Sequence, residues 1–340
     1  MRRLLFACAG SVALLAAAAA PASAGSLPGL PAAPKAPAAT KAASQPKPAH
    51  LRVWIASGLD DGGLLWQLDG GRVTVHGTIR PFVKHQTVRV VMRNAGHRVR
   101  SFRVKVEKGR HGKGRFSASL PVTDTGSSLR VLAVHKGNSK QKGGKSKKVR
   151  FGAVWPSVGG GSSGDAVHLL QVGLTRLAYS VPLSNYWDDG TARAVLAFRK
   201  VNYLSRDSTA DRDVFRRVFH GVGAFNLRSG SPGTHVEADL SRQVLVLTQN
   251  GRPYRTFTIS SGKPSTPTVK GNFSFYRKSP GYNSHGMYYS SYFYGGYAVH
   301  GYADVPPNYP ASHGCLRAPI PDAVFIYNNI SIGEPIYVYS

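Results

Sequence analysis

The sequence predicts a multidomain protein with an N-terminal β-sandwich, a small α-helical domain and a C-terminal domain that is mostly β. Three successive patterns of apolar residues predict this order. Residues 51–155 contain short alternating runs typical of strands, residues 165–230 show helical spacing, and residues 231–340 return to strand-like runs. A chain of 340 residues is long enough for two or three folded domains.

The first β region contains five runs in which apolar and polar residues alternate. They are RVTVHGTI, TVRVVMRN, RSFRVKVEK, GRFSASLPV and LRVLAVHK. In the third run Phe102, Val104 and Val106 share one face, and the basic residues share the other. Short strands that recur at regular spacing predict a small β-sandwich, which resembles in pattern the immunoglobulin-like modules of exported bacterial proteins.

The helical region follows the segment VGGGSSGD (158–165), whose composition predicts a flexible break. In DAVHLLQVGLTRLAY the apolar residues recur at helical spacing, at Val167, Leu170, Leu174 and Leu177. A second helix is expected in WDDGTARAVLAFRKVNYL, with Asp189 or Thr191 as its N-cap.

The C-terminal region begins with two strand-like runs on either side of Asn250-Gly251, a dipeptide that strongly favours a β-hairpin. Further strands are expected in GNFSFYR, MYYSSYF, YAVHGY and EPIYVYS. The segment DAVFIYNNI (322–330) is predicted to be helical, with Pro321 near its start.

The N-terminus has the parts of a secretory signal peptide over residues 1–24. A pair of arginines precedes an alanine-rich apolar stretch, and Ala22-Ser23-Ala24 resembles a cleavage site. Cleavage is expected after Ala24, and a retained transmembrane span is the alternative. Residues 25–50, which are rich in Pro and Ala, predict an extended tether. The mature protein is therefore expected to be secreted, with no stable membrane span.

The chain has two cysteines, Cys8 and Cys315. Loss of the signal peptide would remove Cys8, so an intramolecular disulfide is excluded in the mature protein. An exported protein with a single thiol either buries it as an inert core residue or uses it chemically. Both interpretations remain open at this level.

The net charge of +28 is concentrated in the first β region, which contains 22 Lys and Arg residues but only five acidic residues between Leu51 and Trp155. Such a surface attracts polyanions. Nucleic acid would be the first partner to consider for a cytosolic protein. For an exported protein, anionic wall polymers, acidic peptide stems or membrane headgroups are better candidates, and a solvated basic surface is the alternative.

His300 and Cys315 have the chemistry of a nucleophilic pair, because an imidazole near a thiol generates the reactive thiolate. Gly314 allows a sharp turn in which the N–H groups of His313, Gly314 and Cys315 could converge as an oxyanion hole. This arrangement supports acyl transfer through a thioester. A zinc site from these residues and His285 is an alternative, although the usual zinc-ligand spacings are absent. A buried cysteine with a purely structural role is the other alternative.

The constellation AVHGY and PASHGCLR resembles the signature of the L,D-transpeptidase catalytic domain of the YkuD type. The matching residues are His300, Gly301, Ser312, His313, Gly314, Cys315, Leu316 and Arg317. The upstream segment SSGKPSTPTVKGNFSFYRK is also similar to that family, at Ser261, Gly262, Thr266, Pro267, Thr268 and Gly271. The resemblance covers the chain from Thr234 to the end and implies a mostly-β catalytic fold with peptidoglycan as substrate.

This resemblance also implies roles for individual residues. Cys315 would be the nucleophile, and His300 would be the base and then the acid, with its ring oriented by a carbonyl near Gly301. His313, Gly314 and Ser312 would shape the active-site loop and the oxyanion hole. Two residues are expected to bind substrate: Arg317 would meet a stem carboxylate, and Tyr288 would line the groove. Structural pairing of the arginine and core packing of the tyrosine are the alternatives. No cofactor or metal is implied.

The helical region resembles the three-helix peptidoglycan-binding domain. The matching residues are Leu170, Gln171, Leu177, Tyr179, Asp189, Gly190, Thr191, Ala194, Val195 and Phe198. Arg199 and Ala178 depart from that pattern, since the family usually has Gln and Gly at these positions. The resemblance implies glycan binding, and a helical spacer is the alternative.

Together these observations predict an exported cell-wall enzyme that cross-links peptidoglycan stem peptides. Cys315 would take an acyl group from a stem tetrapeptide and pass it to an amine on a neighbouring stem. An L,D-carboxypeptidase, in which water replaces the amine, is one alternative. A non-catalytic wall-binding protein is another, although an intact pair of His300 and Cys315 argues against it. The expected location is the cell wall or the periplasmic side of the envelope, and nucleic acid is not expected as a partner.

Overall fold

The computed structural model describes residues 45–340, so the predicted signal peptide and most of the predicted tether lie outside the described residues. The described part is mostly β and contains four helices. It has a β-rich N-terminal region, three helices in the middle, and a C-terminal region of strands with one helix. No helix among residues 45–340 is long and apolar enough to cross a membrane.

The N-terminal region consists of two sheets. Its strands are β1 (His50–Ile55), β2 (Leu59–Asp61), β3 (Leu64–Leu68), β4 (Arg72–Arg80), β5 (Thr87–Asn94), β6 (His97–Lys105), β7 (Glu107–Lys108), β8 (Gly114–Pro121), β9 (Gly126–His135), β10 (Gly144–Lys145) and β11 (Val149–Val154). One sheet has the order β1-β4-β8-β7, and the other has the order β2-β3-β11-β9-β5-β6, with β10 paired to β9.

The two sheets share one hydrophobic core, which makes this region a sandwich. Strand β4 shows how alternation builds this core. Its apolar residues Val73, Val75 and Ile79 point to one face and are fully buried, and polar residues separate them. They pack with the inward residues of β5, β8, β9 and β11. The expected apolar face of β6 is only partly buried, because β6 is an edge strand and Phe102 remains 41% exposed.

Three helices follow: α1 (Asp165–Arg176), α2 (Asp189–Val201) and α3 (Arg212–Phe219). The N-cap of α2 differs from the predicted Asp189 or Thr191. Asp188 caps the helix, because its Oδ1 accepts the Thr191 N–H at 2.6 Å. Arg199, which departs from the peptidoglycan-binding pattern, forms ion pairs with Asp207 at 3.0 Å and Asp211 at 3.1 Å that hold the connection between α2 and α3.

The C-terminal region also contains two sheets. Its elements are β12 (Val236–Asp239), β13 (Val244–Gln249), β14 (Arg252–Thr258), β15 (Gly271–Ser274), β16 (Arg277–Tyr282), β17 (Tyr288–Tyr294), β18 (Tyr297–Tyr302), β19 (Leu316–Pro319), α4 (Ile320–Asn328) and β20 (Pro335–Tyr339). The orders are β14-β13-β12-β20-β15 and β16-β17-β18-β19. The predicted hairpin joins β13 to β14, and both Asn250 and Gly251 have positive φ, as its turn requires.

The three regions share a continuous core between residues 45 and 340. Trp66 and Val154 of the sandwich pack with the apolar faces of α1, α2 and α3, and Val244 and Val246 of β13 close the same cluster. The buried Lys200 Nζ donates to Thr258 Oγ1 at 2.6 Å and so fixes α2 against β14. The helical and C-terminal regions therefore share a packed apolar interface.

The segment 158–165 differs from the predicted flexible break. Val158 exchanges two backbone hydrogen bonds with Ala210, and the Gly164 N–H donates to the Asn185 carbonyl. The glycines supply positive φ at Gly161 and Gly164. In this chain the glycine-rich composition forms an ordered turn that leads into α1.

Candidate active site

The parallel pairing of β18 with β19 places the two predicted catalytic side chains together. His300 lies opposite Arg317, and Val299 lies opposite Leu316, so Cys315 lies beside Ala298 just before β19 begins. Because side chains alternate along a strand, Cys315 and His300 project from the same face of the sheet. Strand geometry places their Cα atoms roughly 8 Å apart, which lets the two side chains approach each other.

His300 is buried, with 3% of its surface exposed. Its Nδ1 lies 2.8 Å from the Gly301 carbonyl oxygen, which can only accept, so Nδ1 carries the proton. This leaves Nε2 as the basic nitrogen. Burial lowers the pKa of His300 to about 4, the hydrogen bond to Gly301 opposes the shift, and the Arg317 cation adds to it. The imidazole is therefore neutral at neutral pH and able to accept a proton.

Cys315 is half-buried, and its Sγ lies 3.7 Å from the Gly296 carbonyl oxygen. Burial raises the pKa of the Cys315 thiol, although a backbone hydrogen bond from Ala298 and the Arg317 charge act in the opposite direction. At neutral pH the resting site thus holds a neutral thiol beside a neutral imidazole. Such a pair needs proton transfer to the imidazole as the thiol attacks.

The turn before Cys315 is held by Ser312 and Gly314. The Ser312 hydroxyl donates to the Cys315 carbonyl at 2.6 Å and accepts the Gly314 N–H at 3.0 Å. Gly314 has φ of 118°, and a Cβ there would lie 2.3 Å from the ring of Tyr297. Only glycine fits this position. Because the Gly314 N–H is bound to Ser312, it is not free as an oxyanion donor, which leaves the N–H groups of His313 and Cys315.

The loop between β14 and β15 clamps this turn from the other side. The Ser312 N–H donates to the Ser261 carbonyl at 3.0 Å, and the hydroxyl of Thr266 donates to the Ser312 carbonyl at the same distance. The hydroxyl of Thr268 donates to the Gly314 carbonyl at 2.7 Å and accepts the Gly262 N–H. These four loop residues are among those that carried the family resemblance, and here they fix the position of the sulfur.

Arg317 is 8% exposed and lies on the same face as His300. Its guanidinium stacks on the ring of Tyr302 at 3.9 Å, and its Nη1 lies 3.7 Å from a carboxylate oxygen of Asp304. The ring of Tyr302 in turn meets His300 edge-on, with the ring centroids 5.7 Å apart. Arg317 is therefore a cation whose charge acts on both His300 and Cys315.

The other predicted residues are placed less centrally. The His313 side chain is exposed, and its Nε2 lies 3.3 Å from Lys263 Nζ. Gly301 packs under α4, where a Cβ would lie 2.6 Å from the Cβ of Ala323. Tyr288 lies opposite Gly301, on the face that carries α4, and packs against other tyrosine rings. The structure does not bring Tyr288 to the face that holds His300 and Cys315.

Two aromatic residues of the site were missed from the sequence. Tyr297 packs against Gly314, and Tyr302 lies between His300 and Arg317. The alternation of YAVHGY contained a usable signal for Tyr302, because it places Ala298, His300 and Tyr302 on one face. Within residues 45–340, no group of three or more His, Cys, Asp or Glu side chains is arranged to hold a metal ion.

Two comparisons with known proteins give matches to L,D-transpeptidases. A model described as the L,D-transpeptidase catalytic domain (YkuD) matches residues 233–338. A solved L,D-transpeptidase structure from Xylanimonas cellulosilytica is 31% identical, with a TM-score of 0.51; the match covers 55% of this chain and 98% of that one. A comparison with curated proteins finds no match.

Two further solved structures cover a smaller part of this chain. The catalytic domain of an Enterococcus faecium L,D-transpeptidase is 24% identical over 33% of this chain and 100% of that one, with a TM-score of 0.28. Mycobacterium tuberculosis L,D-transpeptidase 1 is 26% identical over 32% and 62% of the two chains, with a TM-score of 0.26. The family model and the X. cellulosilytica structure confirm the resemblance carried by the motif around His300 and Cys315.

Proposed function

Because this chain belongs to the L,D-transpeptidase family, we propose that it is exported and forms peptidoglycan cross-links by acyl transfer through a Cys315 thioester. The observation that carries this proposal is the shared face of β18 and β19, from which both the Cys315 thiol and a neutral imidazole with its Nε2 unprotonated project. A site of this kind can generate a thiolate only while the substrate is being attacked.

The first half of the reaction cleaves the donor stem. His300 Nε2 takes the thiol proton as Cys315 Sγ attacks the carbonyl carbon of the third-position diamino acid. The negative charge that develops on the carbonyl oxygen is stabilised by the N–H groups of His313 and Cys315. The imidazolium then returns its proton to the departing amine, so that D-Ala leaves and the acyl group remains on sulfur.

The second half forms the new bond. A side-chain amine of a neighbouring stem attacks the thioester, His300 removes a proton from that amine, and the thiol is regenerated as the amide forms. If water attacks instead, the product is a free tripeptide, which is the L,D-carboxypeptidase alternative. The Arg317 cation lowers the pKa of the Cys315 thiol and so favours its thiolate form, and in this proposal it also binds a stem carboxylate.

Product analysis tests this proposal. The purified protein is incubated with disaccharide-tetrapeptide, and the products are followed by mass, with Cys315→Ala as the inactive variant. Free D-Ala with a cross-linked dimer supports transpeptidation, whereas tripeptide without dimer supports the carboxypeptidase. Unchanged substrate with the wild type contradicts the proposal and favours a non-catalytic wall-binding protein. Product formation by Cys315→Ala contradicts the role of Cys315 as nucleophile.

A matched pair of histidine variants tests the proton carrier. His300→Ala is expected to lower kcat about 100-fold to 10,000-fold, the usual contribution of a general base. His313→Ala removes an exposed imidazole two residues before the thiol but keeps the backbone N–H, so its loss should be below tenfold. Equal losses in the two variants would refute the assignment of His300 as the base.

The helical region is proposed to help locate glycan. The match to the X. cellulosilytica structure covers 55% of this chain, which is a larger share than residues 233–338 make up. The match therefore extends beyond the catalytic segment. Gln171 and Tyr179, which carry the peptidoglycan-binding resemblance, are fully buried and so support the fold. The proposed glycan site is the 580 Å³ groove between the start of α2 and α4, which is lined by Arg193, Arg255 and Phe325 among others. Loss of sedimentation with purified peptidoglycan in Arg193→Ala/Arg255→Ala, which removes the basic lining supplied by α2 and by β14, would support this role, and unchanged sedimentation would contradict it.

A further inference from the structure

Two cationic clefts lie at one end of the β-sandwich, and no residue of the candidate active site lines either of them. The larger has a volume of 500 Å³ and is lined by His50, Arg52, Arg80, Lys113, Lys145 and Lys147 among others. The smaller has a volume of 240 Å³, and its basic lining residues are His85, Arg89, Arg103, His135 and Lys136. Neither cleft is lined by Asp or Glu. We call the two clefts together the cationic end.

The turn between β9 and β11 joins the two clefts. Lys136 at its start lines the smaller cleft, while Lys145 and Lys147 near its end line the larger one. The turn returns on itself, because Gly144 pairs with His135 and Lys145 with Val134. It carries six lysines in thirteen residues, at Lys136, Lys140, Lys142, Lys145, Lys147 and Lys148. The clefts and the turn therefore form one basic strip.

The cationic end is remote from the rest of the protein. Strand β4 begins at Arg72, which lines a cavity against α3, and ends at Arg80 in the larger cleft. The eight steps between these residues span roughly 27 Å. Four of the five acidic residues of the sandwich (Asp60, Asp61, Asp69 and Asp124) lie toward the other end, where Asp61 pairs with His168 of α1 at 3.1 Å. The fifth, Glu107, lies opposite Arg115 near the cationic end. The larger cleft is thus separated from the helical region by the length of β4.

The charges at the cationic end have no partner within residues 45–340. Arg52, Arg80, Lys113, Lys145 and Lys147 form neither an ion pair nor a side-chain hydrogen bond there, in contrast to Arg193 and Arg199 of the helical region. Holding so many like charges together is unfavourable unless an anion neutralises them. A built cleft lined by unpaired cations therefore points to an anionic ligand.

We propose that the cationic end binds a linear polymer of phosphate groups that carries no aromatic bases, and that this polymer runs from one cleft over the lysine turn to the other. A polymer fits better than a small anion, because the basic residues extend over two clefts and the turn between them. Neither cleft is lined by Phe, Tyr or Trp, so the stacking platform that single-stranded nucleic acids use is absent from both. The proposal rests on the proposed function only for the cell-envelope location, where such a polymer would be met.

The test is the binding of end-labelled inorganic polyphosphate to the purified full chain at a series of NaCl concentrations. The cleft variant is Arg52→Gln/Arg80→Gln/Lys145→Gln. The control variant is Arg98→Gln/Arg100→Gln/Arg130→Gln, three exposed arginines toward the opposite end of β5, β6 and β9. Both variants lose the same net charge, so a general attraction to a basic protein would weaken equally in both.

The cleft variant should bind polyphosphate about 100-fold more weakly at 0.1 M NaCl, with the salt slope of log K lower by about 2, because three phosphate contacts are lost. The control variant should stay within about threefold of the wild type. Equal losses, or no binding by the wild type, would overturn the proposal. If the protein bound single-stranded DNA of matched charge more tightly than polyphosphate, the proposal of a phosphate polymer without bases would be overturned.

Turnover of disaccharide-tetrapeptide is measured on the same preparations, and it separates this proposal from the proposed function. The cleft variant should turn over substrate at the wild-type rate, which also shows that it is folded. Cleft-dependent polyphosphate binding by a protein without turnover would refute the proposed reaction and leave the polymer site standing. Loss of turnover in the cleft variant alone would contradict the separation of the two sites.

Discussion

Replacing Gly314 by alanine tests how the backbone presents the thiol. Gly314 has φ of 118°, and an added Cβ would lie 2.3 Å from Tyr297 Cε1. That distance is more than 1 Å short of the roughly 3.5 Å at which two carbon atoms make a favourable contact. The strained φ costs about 1–3 kcal/mol for a residue other than glycine. Overpacking against the ring adds about 1–3 kcal/mol.

Gly314→Ala should therefore lower the free energy of unfolding by about 4 kcal/mol, measured by urea denaturation. A shift of about 1 Å in the adjacent thiol should also lower kcat about 100-fold. Gly333→Ala is the matched control, because Gly333 also has positive φ, 87°, but nothing lies within 4 Å of an added Cβ. It should lose only the cost of backbone strain and keep wild-type kcat.

A double-mutant cycle with Tyr297→Ala separates the two costs. Without the ring, Gly314→Ala should regain about 2 kcal/mol of its stability loss, while the cost of the positive φ remains. Wild-type kcat and stability in Gly314→Ala would refute the reasoning. So would a loss that is the same with and without the Tyr297 ring, because the structure attributes half of it to that contact.

Three further predictions concern single side chains. Since burial lowers the pKa of His300 to about 4, kcat/KM should stay level between pH 6 and pH 8 and fall only near pH 4; an acid limb centred at 6.5 would contradict this. Burial lowers the pKa of Lys200 to about 7 from 10.5, so the unfolded chain binds more protons between these values and stability rises with pH. Relative to Lys200→Met, the wild type should gain about 2 kcal/mol from pH 7 to pH 9 in urea titrations, and parallel curves would refute the burial of a neutral amine. A carbapenem should add its mass to the wild type at Cys315 but not to Cys315→Ala, and an unmodified intact mass would count against a reactive thiol.

Local signals in the sequence predicted the elements that hold the site. The dipeptide Asn250-Gly251 predicted the hairpin, because its tight turn needs positive φ at two successive residues and few residue pairs other than Asn-Gly adopt it readily. The motif around His300 and Cys315 predicted a pair that the parallel pairing of β18 and β19 brings to one face. Asp188 and Asp189 are adjacent, so the sequence does not show which of them caps α2. The hydrogen bond from the Thr191 N–H identifies Asp188 as the cap.

Long-range packing could not be predicted in the same way. The sequence suggested separate modules, whereas Val244 and Val246 of β13 pack on the helices and Leu245 and Leu247 pack in the C-terminal core. The run VLVL held a signal for this, since a continuous apolar strand is buried on both faces. Tyr288 was expected at the substrate groove, but its face depends on a bulge in the pairing of β17 that no local pattern reveals.

The acyl group on Cys315 is the central claim, and an acid-quenched reaction tests it most directly. The protein is mixed with disaccharide-tetrapeptide, quenched and digested, and the peptide that contains Cys315 is weighed with and without hydroxylamine. The mechanism predicts an adduct equal to the donor without D-Ala, which hydroxylamine removes as expected for a thioester. Release of D-Ala with no adduct on Cys315, or an adduct on another residue, would contradict it.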